Sequence, residues 1–130
     1  MTTPDDLTIA RAERAEIVRG RHHSEWWEEL DRMRNTGDLA GAEALLIEMR
    51  DAVERSSEIA GWAIPFGPAQ GLLALYKSQG DDAAALAEVN RYLKATLETV
   101  NIDPEGGNTG LRRALEWLAV LDPEEGQGGT

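Results

Sequence analysis

The chain has no cysteine among its 130 residues, which excludes a disulfide framework, a thiolate zinc site and a cysteine nucleophile. Long hydrophobic runs are missing too. No stretch reaches the roughly 18 consecutive apolar residues of a membrane span, and the opening MTTPDDLTIARAERAE holds no apolar run of signal-peptide length. The sequence therefore predicts a cytoplasmic protein with no membrane contact. Positive charge is scarce: 13 Lys and Arg face 24 Asp and Glu, a net charge of −11, most of it after residue 36. Such a balance disfavours a nucleic-acid backbone and attracts a basic partner.

The motifs of catalysis are equally thin. GGNTG at 106–110 has no strand before it and no Lys-Ser/Thr after it, as a phosphate-cradling loop requires. Ser24, Ser56, Ser57 and Ser78 lie in no nucleophile elbow or Ser-x-x-Lys setting. The acid pairs Glu28-Glu29, Asp81-Asp82 and Glu124-Glu125 are chain neighbours and form no facing pair for acid-base work. His22 and His23 are the only histidines. On a helix, adjacent side chains point about 100° apart, which makes the two poor joint ligands, although Glu25 shares a face with His22. No metal, cofactor or catalytic residue is expected. A small metal-dependent protein using His22, His23 and nearby acids is the alternative.

What is present is helical periodicity. Leu72, Leu73, Leu75 and Tyr76 recur at helical spacing, Gly80 supplies a left-handed stop, Asp81 or Asp82 caps, and Leu86, Val89, Tyr92, Leu93 and Leu97 resume the stripe. This predicts an antiparallel helical hairpin. The same order occurs earlier. Trp26, Trp27, Leu30 and Met33 lie on a helix from Ser24 to Thr36, the chain turns at Gly37-Asp38, and Asp38 to about Ser57 forms a long helix with Leu39, Ala42, Leu45, Leu46, Met49, Ala52 and Val53 on one face. Superposing the turns pairs Leu30 with Leu73, Met33 with Tyr76, Ala42 with Ala85 and Leu46 with Val89.

Around the hairpins, Thr3-Pro4-Asp5-Asp6 reads as a helix start capped by Thr3, with the helix running on through Arg19 and either ending at Gly20, with Ser24 capping the next one, or continuing as a single long helix. No strand is expected. IAGWAIPFGP is an apolar connector in which Trp62 and Phe66 either fold back as core or form an exposed hydrophobic patch for a partner. NIDPEGGN reads as a loop, with Asn108 or Thr109 capping a last helix to Leu121 whose leucine side (Leu111, Leu115, Leu118, Leu121) covers the preceding hairpin. The expected whole is one all-α domain of about six helices over residues 1–121, with a disordered tail over 122–130.

Leu72, Tyr76, Gly80, Asp81, Ala85 and Val89 resemble a tetratricopeptide repeat, in which a small residue sits where the second helix crosses the first. Ala69 stands where that family has Trp and Leu73 where it has Gly. The resemblance covers residues 24–99 and implies a non-catalytic module that binds proteins or peptides along its first helices. On that reading Trp27 and Gln70, with Arg34 and Lys77, offer an aromatic platform and two cations to a peptide bearing a carboxylate. An acidic inhibitor or chaperone of a basic protein is the other partner-binding reading, and a second copy of the chain is a further candidate partner.

Overall fold

The computed structural model describes residues 5–99 and 104–121, with side chains given at 5–98 and 110–121. The fold is all-α. Six helices occur among the described residues: α1 (Asp6–Ala15), α2 (Trp27–Thr36), α3 (Leu39–Ala60), α4 (Gly67–Ser78), α5 (Asp82–Thr99) and α6 (Pro104–Leu121). The chain divides into two compact units, Met1–Trp62 and Ala63–Thr130. The expected tail at 122–130 and the Thr3 cap lie outside the described residues.

In the first unit, Asp5 caps α1 by accepting the Thr8 N–H at 2.8 Å. The helix stops at Ala15 rather than running through Arg19. Ile17–Val18 (β1) pairs antiparallel with Arg21–His22 (β2), Ile17 opposite His22 and Val18 opposite Arg21. Both central residues of the turn are left-handed, Arg19 at φ 50° and Gly20 at φ 85°, the turn hand that matches the twist of paired strands. The β-branched Ile17 and Val18 suit this extended backbone better than a helix. α1 packs on α3 through Ala12, which is fully buried, whereas Leu7 and Ile17 of the expected apolar face are exposed.

After β2, a single 3-10 turn (His23–Trp26) leads into α2. Its cap is His22 and not Ser24: the Ser24 N–H donates to His22 Nδ1 at 3.2 Å and the His22 N–H to Glu25 Oε2 at 3.2 Å, a reciprocal capping arrangement. Trp26 Nε1–H donates to the Val18 carbonyl at 2.9 Å, tying helix to hairpin. α2 ends at Gly37, φ 84°, where the Asp38 N–H reaches the Met33 carbonyl at 2.8 Å. Asp38 then caps α3 through the Gly41 N–H at 3.0 Å. α3 buries Ala42, Leu45, Leu46, Met49, Ala52 and Val53, the expected face, and continues three residues past Ser57.

The second unit repeats that turn chemistry. α4 buries Ala69, Leu72, Leu73, Leu75 and Tyr76. At Gly80, φ 72°, the Asp81 N–H reaches the Tyr76 carbonyl at 2.9 Å, and Asp81 Oδ1 accepts the Ala84 N–H at 3.1 Å. α5 packs on α4 with Ala85, Val89, Tyr92 and Thr96 buried. Leu97, expected in that stripe, is 55% exposed. Ahead of α4, Phe66 is buried, as the core reading has it, and so is Ile64, whereas Trp62 is only half-buried. The Phe66 ring meets Tyr92 edge-on at 4.8 Å, and the Tyr92 hydroxyl donates to the Ile64 carbonyl at 2.9 Å.

α6 departs from expectation twice. It begins at Pro104, a residue suited to a first helical turn, rather than at Asn108 or Thr109. Its fully buried residues are small, Gly110 and Ala114; of the expected leucine side, Leu111, Leu118 and Leu121 are half-buried while Leu115 is 50% exposed. The reason is the close crossing with α5. A Cβ at Gly110 would run into the Tyr92 hydroxyl, so α6 turns its Gly-x-x-x-Ala edge inward and leaves Leu115 about 100° away.

Two stability measurements follow from these crossings. Ala85→Leu should destabilise by about 1–3 kcal/mol through overpacking, read from the urea midpoint. Gly110→Ala should destabilise the natural chain. In a Tyr92→Phe background, where the blocking oxygen is gone and the ring Cζ lies 3.2 Å away, that loss should shrink or reverse, since alanine is the better helix former by about 1 kcal/mol. Equal effects in both backgrounds would disprove the contact.

Candidate functional site

The hairpin and 3-10 turn of the first unit do what a continuous helix would prevent, bringing residues 16, 22 and 23 together. The His22 and His23 ring centroids are 4.4 Å apart, and their partner is Glu16 rather than Glu25. His22 Nε2 lies 2.6 Å from Glu16 Oε1. His22 Nδ1 accepts the Ser24 N–H and lies 2.7 Å from the Ser24 hydroxyl. An acceptor at Nδ1 places the proton of the neutral ring on Nε2, where it is donated to Glu16. Glu16 Oε2 in turn accepts from the Ser56 hydroxyl of α3 at 2.6 Å, and Trp62 Nε1–H donates to that Ser56 oxygen at 3.2 Å. A polar chain thus runs Ser24, His22, Glu16, Ser56, Trp62.

His23 stands beside this chain without joining it. Its backbone N–H donates to the Glu16 carbonyl at 2.9 Å, yet its Nδ1 is shut off from solvent with no hydrogen-bond partner. One donor atom each from Glu16, His22 and His23 lie within 4.8 Å of one another, the one such trio of metal-ligating side chains among the described residues. Burial pushes the His23 pKa below its usual value, the neighbouring His22 adds to this, and Glu16 opposes it. Burial would raise the Glu16 carboxyl. Hydrogen bonds from Ser56 and His22, with the charge of both histidines, hold it below its ordinary value.

The residues expected to bind a partner lie elsewhere. Trp27, 39% exposed, and Arg34 are seven residues apart on α2 and so share one side of it. Gln70 and Lys77 have the same spacing on α4, and both are exposed. Lys77 lines a shallow cleft of about 340 Å³ with Glu116, Trp117 and Val120 of α6. Lys77 Nζ also lies 3.3 Å from Asp82 Oδ1 in an exposed ion pair. A second cleft, in the first unit, is polar and lined by Arg21, Glu25, Glu28, Glu29 and Arg32; Arg32 is paired with Glu29, and Arg21 lies 3.9 Å over the Trp26 ring.

Sequence reasoning missed Glu16, Ser24 and Ser56 as companions of the histidines, and Trp117 and Val120 as companions of Lys77. The signal for the first set was Arg19-Gly20 between β-branched and polar residues, a hairpin turn that folds residue 16 onto 22 and 23. No helix among the described residues is long and apolar enough to cross a membrane. No family model, curated protein or solved structure matches the chain, so its function has to be read from its own geometry.

Acidification tests the polar cluster. Because the folded His23 pKa lies below the unfolded value of 6.5, the unfolded chain binds more protons just below that pH, and stability should fall as pH drops from about 7 towards 5. Glu16, depressed below 4.5, contributes stability that is present above that value and lost on further acidification. His23→Gln should flatten the upper part of the stability-against-pH curve measured by urea unfolding. An unchanged curve would show that His23 titrates as it does in the unfolded chain.

Proposed function

We propose that the chain is a non-catalytic interaction module of the cytoplasm, tetratricopeptide-like in its hairpins, that holds a protein or peptide end presenting an apolar side chain beside a free carboxylate. The observation that carries this is the cleft lined by Lys77, Glu116, Trp117 and Val120: an indole and a valine supply apolar surface, and Lys77 supplies a cation beside the Glu116 carboxylate. Apolar contact gives affinity and the ammonium orients a carboxylate. The Asp82 partner does not block this, because an exposed ion pair contributes little and exchanges readily. On α2, Trp27 and Arg34 offer a second face of the same chemistry, and Gln70 adds an amide on the Lys77 side of α4, about two turns farther from the glycine turn. Nucleic acid and membrane lipid are not partners on this reading.

Fluorescence anisotropy with peptides ending in leucine or phenylalanine tests it. Free-carboxylate peptides should bind and their C-terminal amides should not. Lys77→Glu and Trp117→Ala should each weaken binding by about tenfold or more, roughly 1.4 kcal/mol, with far-ultraviolet circular dichroism unchanged. Equal binding of acid and amide peptides, or intact binding by folded Lys77→Glu protein, overturns the reading. The net charge of −11 favours a second one, an acidic inhibitor or chaperone of a basic protein. That complex would lose affinity steeply with added salt and would not depend on Trp117.

A further inference from the structure

We infer that Glu16, His22 and His23 form a binding site for a divalent transition metal of the zinc, cobalt and nickel class. The donor set is two imidazoles and one carboxylate, which suits these ions and is poorly matched to calcium or magnesium, whose preferred ligands are all oxygen. All three donors come from the short stretch that the β1–β2 hairpin folds together, and one atom from each already lies within 4.8 Å of the others.

The geometry needs little adjustment. Zinc bonds of about 2.0–2.1 Å set at tetrahedral angles place ligand atoms roughly 3.3 Å apart. His22 Nε2 and Glu16 Oε1, at 2.6 Å, would part by less than about 1 Å, within reach of small side-chain rotations. His23 would close in from the other side, and no hydrogen bond to its ring holds it back: its Nδ1 is desolvated and unpartnered. A desolvated nitrogen with no partner weakens the metal-free fold, and ligation relieves the loss if the ring turns that atom to the ion.

The atoms behind the ligands are arranged as such a site requires. A ligating imidazole is held by its other nitrogen and a ligating carboxylate by its other oxygen. Ser56 Oγ holds Glu16 Oε2 at 2.6 Å. Ser24 Oγ sits 2.7 Å from His22 Nδ1, so when the ion takes Nε2 the ring proton moves to Nδ1 and is donated to the Ser24 hydroxyl. The Nε2–H···Glu16 bond is replaced by two bonds to one ion; from a neutral ring the proton is only moved to Nδ1, and a proton is returned to solvent only where the ring starts as an imidazolium. Three protein donors leave a fourth position to water.

The test uses the intact chain and zinc ion alone. Zinc should titrate in with one-to-one stoichiometry by calorimetry, and in the same protein long-range 15N spectra should show the ring nitrogens of both His22 and His23 shifting together to saturation. Excess magnesium should not compete. His23→Gln should raise the zinc Kd by about tenfold or more. Ser56→Ala, which removes only the hydroxyl behind Glu16, should raise it by about 10- to 100-fold. Lys77→Glu should leave it unchanged, which separates this site from the peptide cleft. The inference is overturned if zinc binding does not saturate, if magnesium displaces zinc, or if the histidine nitrogens stay in place while zinc binds. The spectra of the natural chain decide the matter even if a variant fails to fold.

Discussion

Both helical hairpins depend on one local device, a glycine in the left-handed region followed by an aspartate. A helix leaves its last carbonyls and its first N–H groups without intrahelical partners. At Gly37 and Gly80 the positive φ, 84° and 72°, turns the backbone so that the next N–H returns to a carbonyl near the end of the first helix. The aspartate carboxylate then takes an N–H from the start of the second. Two adjacent residues thus satisfy groups at both ends of the reversal without drawing on the core. Any residue with a Cβ is strained at such a φ, so these positions tolerate little change.

With the turns set, the core follows from small side chains at the places of closest approach. Ala42 and Ala85 sit fully buried at equivalent distances from the two turns, and the larger Leu46 and Val89 are buried one helical turn on. These features were legible in the sequence because each rests on local chemistry: glycine for the turn, aspartate for the cap, a 3.6-residue period for the face. The α6 interface was not legible for the same reason. The hydrophobic pattern pointed to a leucine side, but the Tyr92 hydroxyl, fixed on the Ile64 carbonyl, leaves room only for Gly110. A contact set by residues far apart in the chain overrode a local pattern, and Leu115 was turned outward.

Residues 15–23 show the opposite failure, of a local signal passed over. Arg19-Gly20 specifies a two-residue hairpin turn, yet a pair of two-residue strands is too short for an alternating pattern to register, and the flanking helices suggest continuity. That difference changes the chemistry. On one helix His22 and His23 diverge; across the end of a hairpin their rings approach to 4.4 Å. Of the residues proposed to bind a partner, Lys77 was singled out by its place before the glycine turn, but Trp117 and Val120 reach it from a distant helix, and nothing local to Lys77 encodes that.

The polar chain through His22 also explains why the hairpin is tied down where it is. An exposed pair such as Arg19 Nε and Glu48, 3.1 Å apart, adds little to stability. The link from Glu16 to Ser56 is half-buried and charge-assisted, and it joins the hairpin to α3 at a point 40 residues away in sequence. His22 completes the set by doing two things at once, capping the 3-10 turn with Nδ1 and holding Glu16 with Nε2. Moving the ring proton from Nε2 to Nδ1 would forfeit the cap from the Ser24 amide, but the Ser24 hydroxyl stands ready to accept the proton's new hydrogen bond. The segment from His22 to Ser24 therefore supports both tautomers of His22, and what decides between them is the charge placed opposite Nε2: a carboxylate alone selects the protonated nitrogen, whereas a cation selects the bare one.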